Sequence, residues 1–407
     1  MRDHQPYGKG EGRMRFTFTE EQNKFRQEVR DFLNAELKAG TFVERSGGLA
    51  EGSSQEFSRK ISRRGWIGMT WPPKYGGHGR TNIEKAILVE EFFKVQAPVA
   101  YHFLCDRQIG PSIIHFGSEW QKEYFLPRFI RADDNIKFCL LFSEPNAGSD
   151  LVNVATTATK EGDFYVLRGQ KAWTSSAHEA DYGWLLARTK FDSSVPRHES
   201  CSQFIVDMKA PGVTIRPIIN MAGYHSFNEV FLDEVKVDRK FMVGQENEAF
   251  KQIMVQMDYE RAGMERLVQN YPIYEKLLNH VKEMGKTQRG DPFYNWARDV
   301  VAQLEIEFNI GRLLCYYTAW TIDQGRRPTS EAALMKAYCN QYEQRLNDLS
   351  TLVFGPASQI REGSPWALYA GEIADCYLWS PSYTLQGGSV EVLKNIVALR
   401  RLELPRK

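Results

Sequence analysis

The chain has 407 residues, with 52 Lys+Arg against 51 Asp+Glu, a net charge of +1 and 42% hydrophobic residues. That length exceeds what one hydrophobic core supports, so two or three domains are expected. The balanced charge lacks the basic footprint of a nucleic-acid binder, and no window approaches the roughly 18 consecutive apolar residues of a membrane span. Cys105, Cys139, Cys201, Cys315, Cys339 and Cys376 show no CxxC or Cys/His spacing. No metal site is therefore expected, and reduced thiols in a cytoplasmic chain are the simpler reading.

Residues 1–15 lack the apolar centre of a signal peptide and read as a flexible extension. Residues 16–135 read as a helical domain. Thr19 with Gln22 three positions on forms a capping box, and Phe25, Val29, Phe32 and Leu33 recur at helical spacing. The turn-rich WPPKYGGHGR at 71–80 precedes a helical run through ILVEEFFKV, and Ile113 to Ile130 is helical, interrupted at Gly117 and Pro127. From 136 to 240 the pieces YVLRG, SQFIVDM, GVTIRPI and NEVFLDEVKV alternate and are separated by Gly, Pro and Asp, as in a small β domain. From 241 to 407 helical periods return over 249–284, 292–324, 329–353 and 364–378. The run Asp299 to Trp320 is apolar on more than one face, which predicts packing inside a bundle or between subunits.

The stretch Phe138 to Ala187 carries most of the chemistry. It passes from an apolar run into the turn Asn146-Ala147-Gly148-Ser149-Asp150, then through short strands to Trp173-Thr174-Ser175-Ser176. A turn rich in free N–H groups and hydroxyls suits a phosphate or carbonyl-rich ligand, and an indole beside it can cover a flat ring. SEPNAGSD from Ser143, GQKAWTSSAHEADY from Gly169 and QGGSVEVLKNIVALRRLELPR from Gln386, in that order, resemble the flavoprotein acyl-CoA dehydrogenases.

The resemblance extends from Phe16 to the end of the chain and implies an α+β fold: an N-terminal helical domain, a small barrel-like middle β-sheet domain and a C-terminal four-helix bundle. It implies FAD as cofactor, an acyl-CoA substrate, electron-transfer flavoprotein as acceptor, and a homo- or hetero-oligomer. By the same resemblance Leu141, Ser143, Gly148, Ser149, Trp173, Thr174, Ser175, Ser389 and Glu391 contact the cofactor. Ser149, Asp258, Arg261 and Gly388 would contact substrate.

Removing a proton alpha to a thioester requires a placed base and donors for the developing enolate oxygen. On the helix from Phe250 to Gln269, Phe250, Ile253, Met254, Met257, Met264 and Val268 define an apolar face at 100° per residue. Arg261 falls near its centre and Glu260 at its edge, so the pair either faces a site or forms a structural network with Asp258 and Glu265. Most acyl-CoA dehydrogenases carry the base in the C-terminal loop, where this chain has Gly387. A minority, of isovaleryl- and long-chain type, place it on the helix before an Arg, the position resembled by Glu260. The resemblance thus makes Glu260 the base, leaves Gly387 a backbone N–H for the thioester carbonyl, and suggests room for a branched or cyclic acyl group. Burial is expected to raise the base's pKa.

Two departures concern assembly. The family's Arg-x-x-Phe-Gly is replaced by GKTQRGDPF around Arg289, and its Gln-x-x-Gly-Gly-x-Gly by LVFGPASQI around Gly355. The cross-subunit half of the flavin site therefore departs from the pattern. Two alternatives stay open: a flavin monooxygenase of the same fold, and a non-catalytic subunit of a heteromeric acyl-CoA dehydrogenase.

Overall fold

A computed structural model describes residues 17–43 and 52–405, so the extension read at 1–15 lies outside the described residues. Helix α1 (Glu20–Lys38) starts at the predicted capping box: Thr19 Oγ1 accepts from Gln22 N, and Gln22 Oε1 accepts from Thr19 N. It is followed by α2 (Gln55–Ser62), α3 (Asn82–Lys94) and α4 (Ala100–Leu104). A π-turn over Cys105–Ile109 leads into α5 (Gly110–Phe116) and then α6 (Glu119–Arg131). The chain breaks at Gly117 as expected, but α6 runs through Pro127, whose ring costs the helix a single backbone bond.

The strands are β1 (Phe138–Leu141), β2 (Thr157–Glu161), β3 (Phe164–Lys171), β4 (Tyr182–Arg188), β5 (Cys201–Asp207), β6 (Val213–Ile219), β7 (His225–Asp238) and β8 (Met242–Val243). They form one sheet in the order β6-β7-β3-β2-β4-β5-β8, with β1 pairing parallel to β4. Alternation in β4 explains why the sheet has two covered faces. Trp184 and Leu186 pack on α5 and α6 with Phe125 and Ile113, whereas Leu185 and Ala187 join Tyr165, Phe204 and Val230 in the core between strands.

The remaining helices are α7 (Ala249–Arg261), α8 (Glu265–Val268), α9 (Tyr271–Thr287), α10 (Pro292–Asp323), α11 (Thr329–Phe354), α12 (Glu372–Trp379) and α13 (Val390–Arg400). Helices α8 to α11 share one core with α1 to α3, through Phe25, Val29, Ile87 and Phe92 against Leu267, Leu277, Leu304 and Leu346. The fold is therefore α+β, with helices at both ends and a sheet between. Among the described residues no helix is long and apolar enough to cross a membrane, and no group of His, Cys, Asp or Glu could hold a metal ion.

Candidate active site

The period predicted as one helix over 249–284 is three helices, and the first break creates the site. Helix α7 ends at Arg261, and Gly263 then lies so close to the Glu265 carboxylate that a side chain there would collide with it. Glu260 and Arg261 thus stand at a helix end, where the sheet-side core of Ile253 gives way to the helix-side core of Met264 and Leu267. The buried face of α7 is more polar than the apolar wheel suggests: Gln252, Gln256 and Glu260 line it at four-residue spacing, while Met254 is exposed.

Glu260 is only 6% exposed. Its Oε1 accepts from Arg266, and Arg107 of the π-turn approaches to 3.9 Å. Arg107 Nη1 also bonds Glu265 at 2.5 Å. Burial pushes the Glu260 carboxyl up, but Arg266, then Arg107, Lys336 and Arg261, outweigh it and hold the group below the usual carboxylate range. The net direction is opposite to that expected from burial alone, because four cations converge on one carboxylate. Glu260 Oε2 has no hydrogen-bond partner and is the free oxygen of this carboxylate.

Gly387 completes this side of the site. Its backbone is left-handed (φ +65°), and a Cβ there would sit 2.9 and 3.0 Å from the two Glu260 carboxylate oxygens. A side chain there would have to displace the neighbouring carboxylate. Arg261 Nε reaches the Gly387 carbonyl at 3.5 Å and its Nη1 has no partner. Arg261 forms no ion pair with Asp258 or Glu265: Asp258 is buried and bonded to Arg327 and to Thr329 Oγ1 (2.7 Å), and Glu265 to Arg107. Gly388 borders the Arg261 guanidinium. Ser389 caps α13, accepting from Val392 N at 3.4 Å, and Glu391 is exposed in its first turn.

The second group of residues gathers where β1 and β3 end side by side, joined by the Ala172 N–H to Ser143 carbonyl bond of 2.9 Å. Leu141 is buried, Ser143 half-buried, and Gly148 and Ser149 are exposed beyond a tight turn in which Glu144 and Ala147 exchange backbone bonds. Trp173 has left-handed backbone (φ 60°) and an indole that is 62% exposed. Thr174 is held through both its backbone groups by Asn228, leaving its buried Oγ1 unpartnered, and Ser175 is exposed. An exposed indole, an orphaned hydroxyl and adjacent turn amides are what a flat heterocycle with carbonyl and ring-nitrogen acceptors needs, so these residues fit a flavin.

Aromatic packing ties this second group to α12. Phe227 of β7 meets Trp173 edge-on at 6.2 Å and stacks on Trp379 of α12 at 5.7 Å. His225 stacks on His178 and bonds Asn228, a structural arrangement behind the Thr174 turn. Arg107, Arg266 and Lys336 were not singled out from the sequence. They come from three other elements, and only the charge doublets Glu260-Arg261 and Glu265-Arg266 hint at such a cluster.

Family models describing the N-terminal, middle and C-terminal domains of acyl-CoA dehydrogenase match residues 19–133, 139–235 and 247–402. The chain belongs to the acyl-CoA dehydrogenase family. It is similar to acyl-CoA dehydrogenase FadE26 of Mycobacterium tuberculosis, with 31% identity over 97% of this chain and 99% of that protein. Among solved structures it resembles the Tcur3481-Tcur3483 steroid ACAD, with a TM-score of 0.85 and 28% identity over 97% of this chain and 100% of that one. It also resembles the ChsE4-ChsE5 complex from Mycobacterium tuberculosis, with a TM-score of 0.81, 30% identity, and coverage of 97% and 100%. This acyl-CoA dehydrogenase is thus an oxidoreductase of a family whose members are FAD-dependent.

Proposed function

We propose that the enzyme dehydrogenates an acyl-CoA thioester between its α and β carbons to give the trans-2-enoyl-CoA, with Glu260 as base. The observation that carries this is the contact between Glu260 and Gly387: a carboxylate with one free oxygen stands against the side-chain-less position that holds the base in most of the family. FAD, when bound, supplies the acceptor for the β-hydrogen. Leu141, Ser143, Gly148, Ser149 and Trp173 to Ser175 would hold it, with Ser389 and Glu391 at the start of α13. Glu260 takes the α-proton, and the Gly387 N–H stabilises the oxygen of the developing enolate. Arg261 and Gly388 border the substrate, and electrons pass on to an electron-transfer flavoprotein.

The substrate reading is an acyl chain on a steroid-type ring system, and the assembly reading is a heteromer with a second acyl-CoA dehydrogenase chain. The similarity to a steroid ACAD supports the first, and the similarity to a two-protein complex, with the departures around Arg289 and Gly355, supports the second. The test is anaerobic mixing of the flavin-loaded enzyme with a panel of straight, branched and steroid-linked acyl-CoAs. Fastest flavin bleaching by a steroid-linked thioester is expected. Glu260→Gln should slow that bleaching by about 10²–10⁴-fold, the range for a lost general base; unchanged bleaching would remove Glu260 from the mechanism.

A further inference from the structure

Lys336 of α11 is fully buried, and no carboxylate lies within salt-bridge distance of it among the described residues. A buried ammonium with no carboxylate in direct contact is costly. What Lys336 does have is two backbone acceptors from one loop: Nζ donates to the Gln386 carbonyl at 2.7 Å and to the Gly388 carbonyl at 3.3 Å. These flank Gly387, whose own carbonyl faces Arg261 Nε at 3.5 Å.

In a trans peptide the carbonyl and the following N–H point in opposite directions. Fixing the Gln386 carbonyl on Lys336 therefore turns the Gly387 N–H away from α11. Among the described residues no acceptor takes that N–H. Burial, then Arg266, Arg261 and Arg107, outweigh the support of Glu260 and push the Lys336 ammonium down to about 7, and either protonation state can donate to the carbonyls.

We propose that Lys336 is a positioning residue: by holding the Gln386 and Gly388 carbonyls it aims the Gly387 N–H at the thioester oxygen and so sets how acidic the substrate α-proton becomes. The inference rests on the dehydrogenase reading above. It predicts that Lys336 acts on the ionisation of a bound thioester and leaves the grip on the CoA moiety alone.

Acetoacetyl-CoA tests this without turnover, because its α-proton leaves to give an enolate with its own near-ultraviolet absorbance. The pH midpoint of enolate formation is measured for acetoacetyl-CoA bound to the flavin-loaded wild type, Lys336→Met and Lys336→Arg, together with the dissociation constant of free CoA. Lys336→Met should raise the bound midpoint by about one unit, a tenfold loss of acidity, with CoA affinity unchanged. Lys336→Arg retains donors and charge and should keep the wild-type midpoint. An unmoved midpoint in Lys336→Met, or equal displacement in both variants, would overturn the proposal. Should Lys336→Met fail to fold, Lys336→Leu, which likewise has no donor, replaces it under the same criteria. A wild type that does not lower the midpoint of acetoacetyl-CoA below its free value would instead refute the dehydrogenase reading itself.

Discussion

At the scale of single residues, the proposed base, Glu260, is governed by charge more than by burial. Glu260 keeps its proton off because Arg266 and Arg107 outweigh desolvation. Its folded pKa lies below the ordinary value, so the ionised form that the proposed role needs persists on the acid side of that value. Replacing Arg266 by Met removes the leading electrostatic support. The acid limb of the kcat/KM profile for flavin reduction should then move to higher pH. A limb that stays in place would show that Arg266 does not set the base. Gly387 argues at the same scale. In Gly387→Ala the new methyl would lie 2.9 Å from Glu260 Oε1, on a left-handed backbone, so the carboxylate must move. Displacing a reacting group by about 1 Å can cost on the order of 100-fold; the bleaching rate should fall by about that factor while the flavin content of the purified protein stays the same. The Glu260-Arg261 doublet and the glycine at position 387 could be read along the chain. Arg107 and Lys336 could not, since a lysine on α11 and an arginine on a π-turn reach the site only through tertiary packing.

At the scale of elements, helical period identified α10 and α11 nearly to their ends, because their apolar residues repeat without interruption. The same signal ran α7, α8 and α9 together. Periodicity does not register a break that depends on how closely Gly263 approaches Glu265, and that break gives the site its helix end. A different device ties the first helices to the last. Glu90 of α3 is buried and bonds Arg312 of α10 (2.7 Å), Arg26 of α1 (2.8 Å) and Tyr316, with Lys94 at 3.0 Å. Burial raises the Glu90 carboxyl, but Lys94, Arg312 and Arg26 pull it far below its ordinary 4.5. A depressed carboxyl gives stability that is present above its unfolded pKa and lost as pH falls through the folded one. Glu90→Gln should therefore cost about 3–5 kcal/mol near neutral pH, the range for breaking a buried ion network. The deficit against wild type should shrink as pH falls below about 4.5. Urea denaturation at pH 7 and pH 4 reads both values, and a deficit independent of pH would mean that packing, not charge, is lost.

At the scale of the whole molecule, the helix–sheet–helix order was visible in the chain because helical and alternating periods occupy separate stretches. The sharing of one core between α1–α3 and α8–α11 was not, since contacts between distant segments leave no local pattern. What the fold leaves uncovered bears on assembly. Along α10, Ile306 is 56%, Ile310 43% and Leu313 46% exposed, at spacings that align them on one face. Each side chain is already about half covered, so covering the rest gains about half of the roughly 1.5–3 kcal/mol of full burial, and the stripe favours association. The sequence expected the segment to pack inside a bundle or between subunits; its inner face meets the shared core, and its outer stripe is open in the single chain. If the stripe is a subunit contact, Ile310→Asp should shift the protein toward monomer in light scattering while leaving its melting temperature within a few degrees. The partner's identity is then a question of stoichiometry. Expressed alone, the chain should purify with less than one flavin per subunit, because the segments around Arg289 and Gly355 depart from the cross-subunit flavin motifs. Co-expression with a second acyl-CoA dehydrogenase chain from the same genome should restore flavin and give a stable complex of both. A yellow homo-oligomer with one flavin per subunit would instead show that this chain supplies both halves of its cofactor site.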